Sequence, residues 1–168
     1  MLEKRTAIPK ELKKRKSREI CDKILLSDVY RDAEVIFAYM PFRGEVDIIP
    51  VIEDAWKRGK RVAVPRVLGD TLMDFYYIHS LNDVESGTFH VMEPRAVCPL
   101  AKEEKPFILT PGSAFTRDGY RMGYGKGYYD RYLEKHLAIT AGICYEEQFA
   151  PQMPVEETDR KLDMIFYS

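Results

Sequence analysis

Gly119-Tyr120-Arg121-Met122-Gly123-Tyr124-Gly125-Lys126-Gly127-Tyr128-Tyr129-Asp130-Arg131-Tyr132 holds four of the chain's ten glycines, set among basic and phenolic side chains. Alternating glycines at 123, 125 and 127 let a backbone turn tightly and approach a ligand, so that successive N–H groups converge on an anion. Arg121 and Lys126 add fixed positive charge. From Tyr128 to His136 good helix formers follow, with Tyr129, Tyr132 and Leu133 as an apolar set. The loop is therefore expected to open onto a helix N-terminus, whose dipole and free N–H groups favour phosphate. The stretch is not a P-loop, because Tyr120 stands where that motif needs its first glycine and Gly127 follows Lys126. Nor is it a dinucleotide fingerprint: Tyr128 occupies the third glycine position, and no strand is expected to lead directly into Gly123. The residues alone leave a second reading open, a Gly-rich turn whose tyrosines pack on neighbouring elements.

Outward from this loop, apolar runs and helical patterns alternate. Pro9–Ser27 reads as a helix with Leu12, Ile20, Ile24 and Leu25 on its inner stripe and Lys10, Lys13, Lys14, Arg15, Lys16 and Arg18 on a solvated face. Ala33–Met40 is a buried strand that runs into the loop Pro41-Phe42-Arg43-Gly44-Glu45. Asp47 caps a helix over Ile48–Arg58, closed by Gly59, and Arg61–Pro65 completes a right-handed βαβ unit. Further strands are expected over Met73–Ile78, Phe107–Thr110, Ala138–Tyr145 and the terminal Asp163–Tyr167. Ser86–Pro94 reads as loop, and 95–105 as a long surface connection, a kind of segment that often serves as a lid. This alternation specifies an α/β fold, a three-layer Rossmann-like sandwich with a mostly parallel central sheet and helices on both faces, in one domain over residues 1–168. Glu45, just past a glycine at the carboxyl end of a strand, stands where such folds place ligand-reading groups.

Composition narrows the classes. With 45% apolar and 32% charged residues and a net charge of −1, the chain reads as an ordinary globular protein without the basic excess of a nucleic-acid binder. No apolar run is long enough to span a bilayer as a helix, and Met-Leu-Glu-Lys-Arg opens no signal peptide, so the expected location is the cytoplasm, with no membrane partner. Cys21, Cys98 and Cys144 are far apart and form no CxxC pair, which argues for reduced thiols. His79 and His90 lack a second histidine at metal-ligand spacing and read as structural or exposed.

The run Arg121-Met-Gly-Tyr-Gly-Lys-Gly-Tyr-Tyr-Asp130 resembles the signature of the 5-formyltetrahydrofolate cyclo-ligase family, also called methenyltetrahydrofolate synthetases. Shorter segments resemble the family in the same order: Tyr39-x-x-x-x-x-Glu45-Val46, Gly87-x-Phe89-x-x-x-Glu93-Pro94, Pro111-Gly112-x-x-Phe115 and Thr158-Asp159-Arg160-Lys161-Leu162-Asp163. The resemblance implies ATP-dependent cyclisation of 5-formyltetrahydrofolate to 5,10-methenyltetrahydrofolate, with ATP as cosubstrate and Mg²⁺. It implies Arg121 and Lys126 as the catalytic cations, and the loop Arg121, Met122, Gly123, Tyr124, Gly125, Lys126, Gly127, Tyr128 and Tyr129 as the ATP site. Met40, Glu45, Tyr124 and Tyr128 would face the folate, Asp130 and Asp159 would hold the metal, and Gly87–Pro94 would close over the pocket. A monomer or weak homodimer is expected. The family also carries a Lys-x-x-x-Arg pair upstream of the first helix, and Lys4, Arg5 and Lys10 lie downstream of that register. Another basic residue then substitutes, or the chain is a divergent paralogue that binds folate or nucleotide without efficient cyclisation.

Overall fold

The computed structural model describes residues 2–155 and 159–168. Five α-helices are present among them: α1 (Leu2–Thr6), α2 (Lys10–Leu25), α3 (Asp28–Asp32), α4 (Ile49–Lys57) and α5 (Tyr128–Lys135). The strands are β1 (Val35–Phe37), β2 (Arg61–Leu68), β3 (Leu72–Ile78), β4 (Val84–Ser86), β5 (Met92–Pro94), β6 (Phe107–Thr110), β7 (Ala114–Phe115), β8 (Arg121–Met122), β9 (Ile139–Cys144) and β10 (Met164–Tyr167). Six of them form one sheet in the order β10-β9-β6-β1-β2-β3. Every neighbour pair is parallel except β2 and β3, which the turn at Gly69-Asp70 joins as an antiparallel hairpin.

The pleat explains the layers, because successive residues of a strand face opposite sides. On β1, Ile36 joins a core with Ile20 and Ile24 of α2, Val51 and Ile52 of α4, and Val62 and Val64 of β2. Val35 and Phe37 point the other way, into a core with Ala63, Phe75 and the Tyr129, Tyr132 and Leu133 stripe of α5. Phe37 stacks on Phe75 at 4.5 Å, and Phe75 meets Tyr132 edge-on at 5.0 Å. Helices thus cover both faces, giving the expected mostly parallel α/β sandwich.

Several local expectations need correction. Residues 84–94 form a β-hairpin, with Val84 opposite Pro94 and Ser86 opposite Met92, where a loop was expected. Its tip is fixed from inside: the buried Glu93 carboxylate accepts from the N–H groups of Val67 (2.8 Å) and Thr88 (3.2 Å). Gly87 makes the room, since a Cβ there would fall 1.9 Å from Glu93 Oε1. The first long helix stops at Leu25 instead of Ser27, because the Ser27 hydroxyl accepts from Tyr30 N–H and starts α3. Ile48 occupies the N-cap position of α4, although Asp47 still accepts from Ile49 N–H at 3.0 Å. A strand does lead into Gly123: β8 pairs with β7, Phe115 opposite Arg121.

Candidate active site

The strand order reverses between β1 and β6. The chain runs from β1 outward to β2 and β3, then returns to the other side of β1 to lay down β6, β9 and β10. Loops leaving the carboxyl ends of two such strands diverge and leave a crevice, the usual ligand position in open α/β sheets. The loops here are 41–45 after β1 and 111–113 after β6, and the glycine loop 123–127 bridges their mouth.

Two sets of hydrogen bonds close this bridge. Tyr124 donates its hydroxyl proton to Glu45 Oε2 at 3.0 Å, so the phosphate-type loop and the strand-end carboxylate predicted to read substrate meet directly. Ser113 hydroxyl and N–H groups donate to the carbonyls of Met122 and Gly123 at 2.8–3.1 Å, pinning the loop's first residues to the end of β6. Gly125 and Gly127 have φ of +94° and +67°, the left-handed region that favours glycine, and Gly127 is the residue from which α5 starts. Gly123 has an ordinary φ, and its role is space: a Cβ would lie 2.9 Å from the Arg121 guanidinium.

Arg121 is 9% exposed, donates Nε–H to Pro111 O at 2.8 Å and lies over the Tyr129 ring at 5.0 Å. Burial pushes its pKa down, while Asp130, Tyr129, Tyr124 and Glu45 favour its charge. Lys126, by contrast, is exposed and holds its ammonium 5.9 Å from the centre of the Phe89 ring at the tip of the β4–β5 hairpin. Burial pushes the Glu45 carboxyl up, against the Tyr124 hydroxyl, Arg5, the Phe42 amide and Arg121. Tyr124, half exposed, has its phenol pushed up to about 12 by burial and by Glu45. Met40 is half-buried against the α2–α4 core at the start of the same loop.

Asp130 stands in the first turn of α5. Burial raises its pKa, Arg121 opposes the rise and the charge of Asp159 adds to it, so the two aspartates proposed for metal face one electrostatic neighbourhood. Among the described residues no group of three or more His, Cys, Asp or Glu side chains is arranged for a metal. A pair of carboxylates fits magnesium, which keeps several waters and shares its remaining positions with phosphate oxygens. The Thr158 that precedes Asp159 lies outside the described residues.

Other predicted residues sit apart from the cleft. Tyr129 is buried beneath Arg121 in the α5 core, and Tyr128 reaches the β2–β3 turn, its hydroxyl 3.4 Å from Gly69 O. Met122 is 44% exposed and offers the site its backbone. Sequence reasoning missed Arg5, Ser113 and Gln148. Gln148 donates to Gly112 O and Ser113 O at 2.9 and 3.2 Å, and fixes the same strand end. Nothing in a Lys-Arg pair near the start of a chain marks one of them as buried. A cavity lined by Ala33, Glu34, Val35, Arg61, Phe107 and Ile139 opens at the amino ends of the strands, remote from all of these groups.

Comparison with known proteins identifies the family. The model of the 5-formyltetrahydrofolate cyclo-ligase family matches residues 1–168. The chain is 31% identical over 144 residues to the Escherichia coli K12 5-formyltetrahydrofolate cyclo-ligase, covering 79% of this chain and 77% of that one. It is 29% identical over 179 residues to the mouse protein of the same name, with 96% and 86% covered. Among solved structures, the NMR structure of Aquifex aeolicus 5,10-methenyltetrahydrofolate synthetase superposes with a TM-score of 0.85 at 30% identity, over 99% of this chain and 84% of that one. With its full length matched and the signature loop built against Glu45 at the sheet's switch point, the chain belongs to the 5-formyltetrahydrofolate cyclo-ligase family.

Proposed function

We propose that the crevice between β1 and β6 is where this cyclo-ligase converts 5-formyltetrahydrofolate and ATP into 5,10-methenyltetrahydrofolate, ADP and phosphate. A formamide oxygen is a poor leaving group, and phosphorylation turns it into a good one. The formyl oxygen attacks the γ-phosphorus and ADP leaves; the neighbouring amine then attacks the activated carbon, loses its proton and closes the ring as phosphate departs. No protein nucleophile is required, so positioning and charge stabilisation carry the rate.

The residues divide between the two substrates. Arg121, Lys126 and the N–H groups of residues 123–127, at the start of α5, are assigned to the triphosphate. Arg121 is rigid, held by Pro111 O and Tyr129, whereas Lys126 is free to follow the transferring group from the surface. Met40, Glu45 and the Tyr124 ring are assigned to the pterin, with Glu45 accepting ring N–H groups and Tyr124 offering an aromatic face. Tyr128, whose hydroxyl reaches Gly69 O at the β2–β3 turn, is left out of this assignment. Asp130 and Asp159 would hold Mg²⁺, which when bound neutralises phosphate charge. The observation that carries this reading is the Tyr124–Glu45 bond, because it brings the phosphate loop to the carboxylate that reads substrate. Mixing the protein with 5-formyltetrahydrofolate and Mg-ATP is expected to produce methenyl absorbance with stoichiometric ADP; ligand binding without that absorbance would instead mark a non-cyclising paralogue.

A further inference from the structure

Among the described residues Arg5 is the most deeply buried charged side chain, 2% exposed, although it belongs to a helix of only five residues. Its guanidinium reaches both lips of the crevice and the bridge between them. Nη2 donates to Arg43 O at 2.7 Å, Nη1 to Tyr124 Oη at 2.6 Å, and a longer contact of 3.5 Å joins Nη1 to Gly112 O. Arg43 holds a left-handed φ of +47° in the turn that presents its carbonyl. Nε is buried and has no hydrogen-bond partner among the described residues. A buried guanidinium with one donor unmet is a poor device for stability alone.

The direction of these bonds follows from chemistry. A guanidinium has donors and no acceptor, so at the Arg5 contact Tyr124 Oη accepts. The single phenolic proton is then committed to Glu45 Oε2, while Glu45 Oε1 takes the Phe42 N–H at 2.9 Å. Both carboxylate oxygens are thereby used as acceptors, the state suited to reading N–H groups on a substrate. We propose that Arg5 is a positioning residue for the folate side of the cleft: it fixes the two strand-end loops and Tyr124 together, makes Tyr124 a donor to Glu45, and holds Glu45 as an acceptor. This rests on the assignment of Glu45 to the folate. The groups that face Glu45 are Arg5 from α1, Tyr124 from the glycine loop, Arg121 from β8, Tyr39 after β1, Tyr129 of α5 and the Phe42 amide.

The test uses the full chain with Arg5→Lys, Arg5→Met and Tyr124→Phe, and follows the Glu45 carboxyl by ¹³C NMR titration, assigned with Glu45→Gln. Lysine keeps the charge but cannot fork between Arg43 O and Tyr124. In Arg5→Lys and Tyr124→Phe the Glu45 midpoint is expected to move to higher pH. In Arg5→Lys the KM for 5-formyltetrahydrofolate is expected to rise about tenfold while that for Mg-ATP stays within about twofold. A Glu45 midpoint that stays put or falls in both variants overturns the proposal, as does a parallel rise of both KM values. If Arg5→Met does not fold, the other two variants decide. Should the unmodified protein fail to cyclise 5-formyltetrahydrofolate, the assignment of function is lost, and the Glu45 titration still decides whether Arg5 sets the state of that carboxylate.

Discussion

Lys126 and Arg121 carry the same charge in opposite settings, and the difference sets what each substitution does. Lys126 is exposed, with its ammonium near the Phe89 ring, so Lys126→Ala is expected to leave stability within about 0.5 kcal/mol. If its ammonium meets charge that develops only during phosphoryl transfer, kcat falls roughly 10²–10³-fold while the KM for folate holds. Steady-state kinetics beside thermal melts check both parts, and near-normal kcat would remove Lys126 from the phosphate role. Arg121→Met is the reverse case: it strands Pro111 O and removes the guanidinium packed over Tyr129, at a cost of about 1–3 kcal/mol. Urea denaturation is expected to show that loss even without ligands. Glycine spacing is a local signal, so the loop that carries both cations could be read from the sequence; that one of them is buried could not, since depth depends on how β7, β8 and α5 pack.

At the level of elements, the hairpin β4–β5 is the piece that sequence reading described least well. Its strands have three residues each, and the alternation is interrupted by Ser86-Gly87, so periodicity could not separate it from loop. Arg66 holds its base through Pro94 O, and Glu93 ties down its tip with bonds to Val67 and Thr88 that depend on the absent Cβ of Gly87. Gly87 has φ −122°, which any residue adopts, so the whole cost of an added methyl is steric. Gly87→Ala is expected to destabilise by about 1–3 kcal/mol, and by much less in a Glu93→Ala background, because the clash leaves with the carboxylate. A double-mutant cycle by chemical denaturation measures this, and equal costs in both backgrounds would deny the Glu93 mechanism. Since Phe89 at the hairpin tip sets its ring 5.9 Å from the Lys126 ammonium, loosening the hairpin is also expected to raise the KM for Mg-ATP. The long helices were legible for the opposite reason: α2 and α4 repeat their pattern over enough residues to be read locally.

Across the whole molecule, what the sequence could not supply is strand order. Alternating strands and helices imply a parallel sheet, but whether β6 pairs with β1 or with β3 depends on contacts some seventy residues apart, and it is the β1–β6 pairing that creates the crevice. Closing that crevice with a carboxylate has a global cost. Burial raises the Glu45 pKa in the folded state above its unfolded value near 4.5, despite Arg5, Tyr124, Phe42 N–H and Arg121. The folded protein therefore binds more protons than the unfolded chain between those two pKa values, so stability falls as pH rises through that window and the penalty is complete above it. Glu45→Gln removes the penalty. At pH 7 the variant is expected to melt at a higher temperature than the unmodified protein, and the difference is expected to vanish as pH falls below the unfolded value. With Glu45 reading the folate as proposed, the same change removes a charged acceptor, and the KM for 5-formyltetrahydrofolate is expected to rise at least tenfold, about 1.5–3 kcal/mol of lost charge-assisted bonding. A gain in stability paired with a loss of substrate affinity is the signature of a residue kept for function. Calorimetry from pH 4 to pH 8 with parallel kinetics tests the pair of outcomes, and a variant less stable at neutral pH would show that the bonds to Phe42 and Tyr124 outweigh the burial of charge.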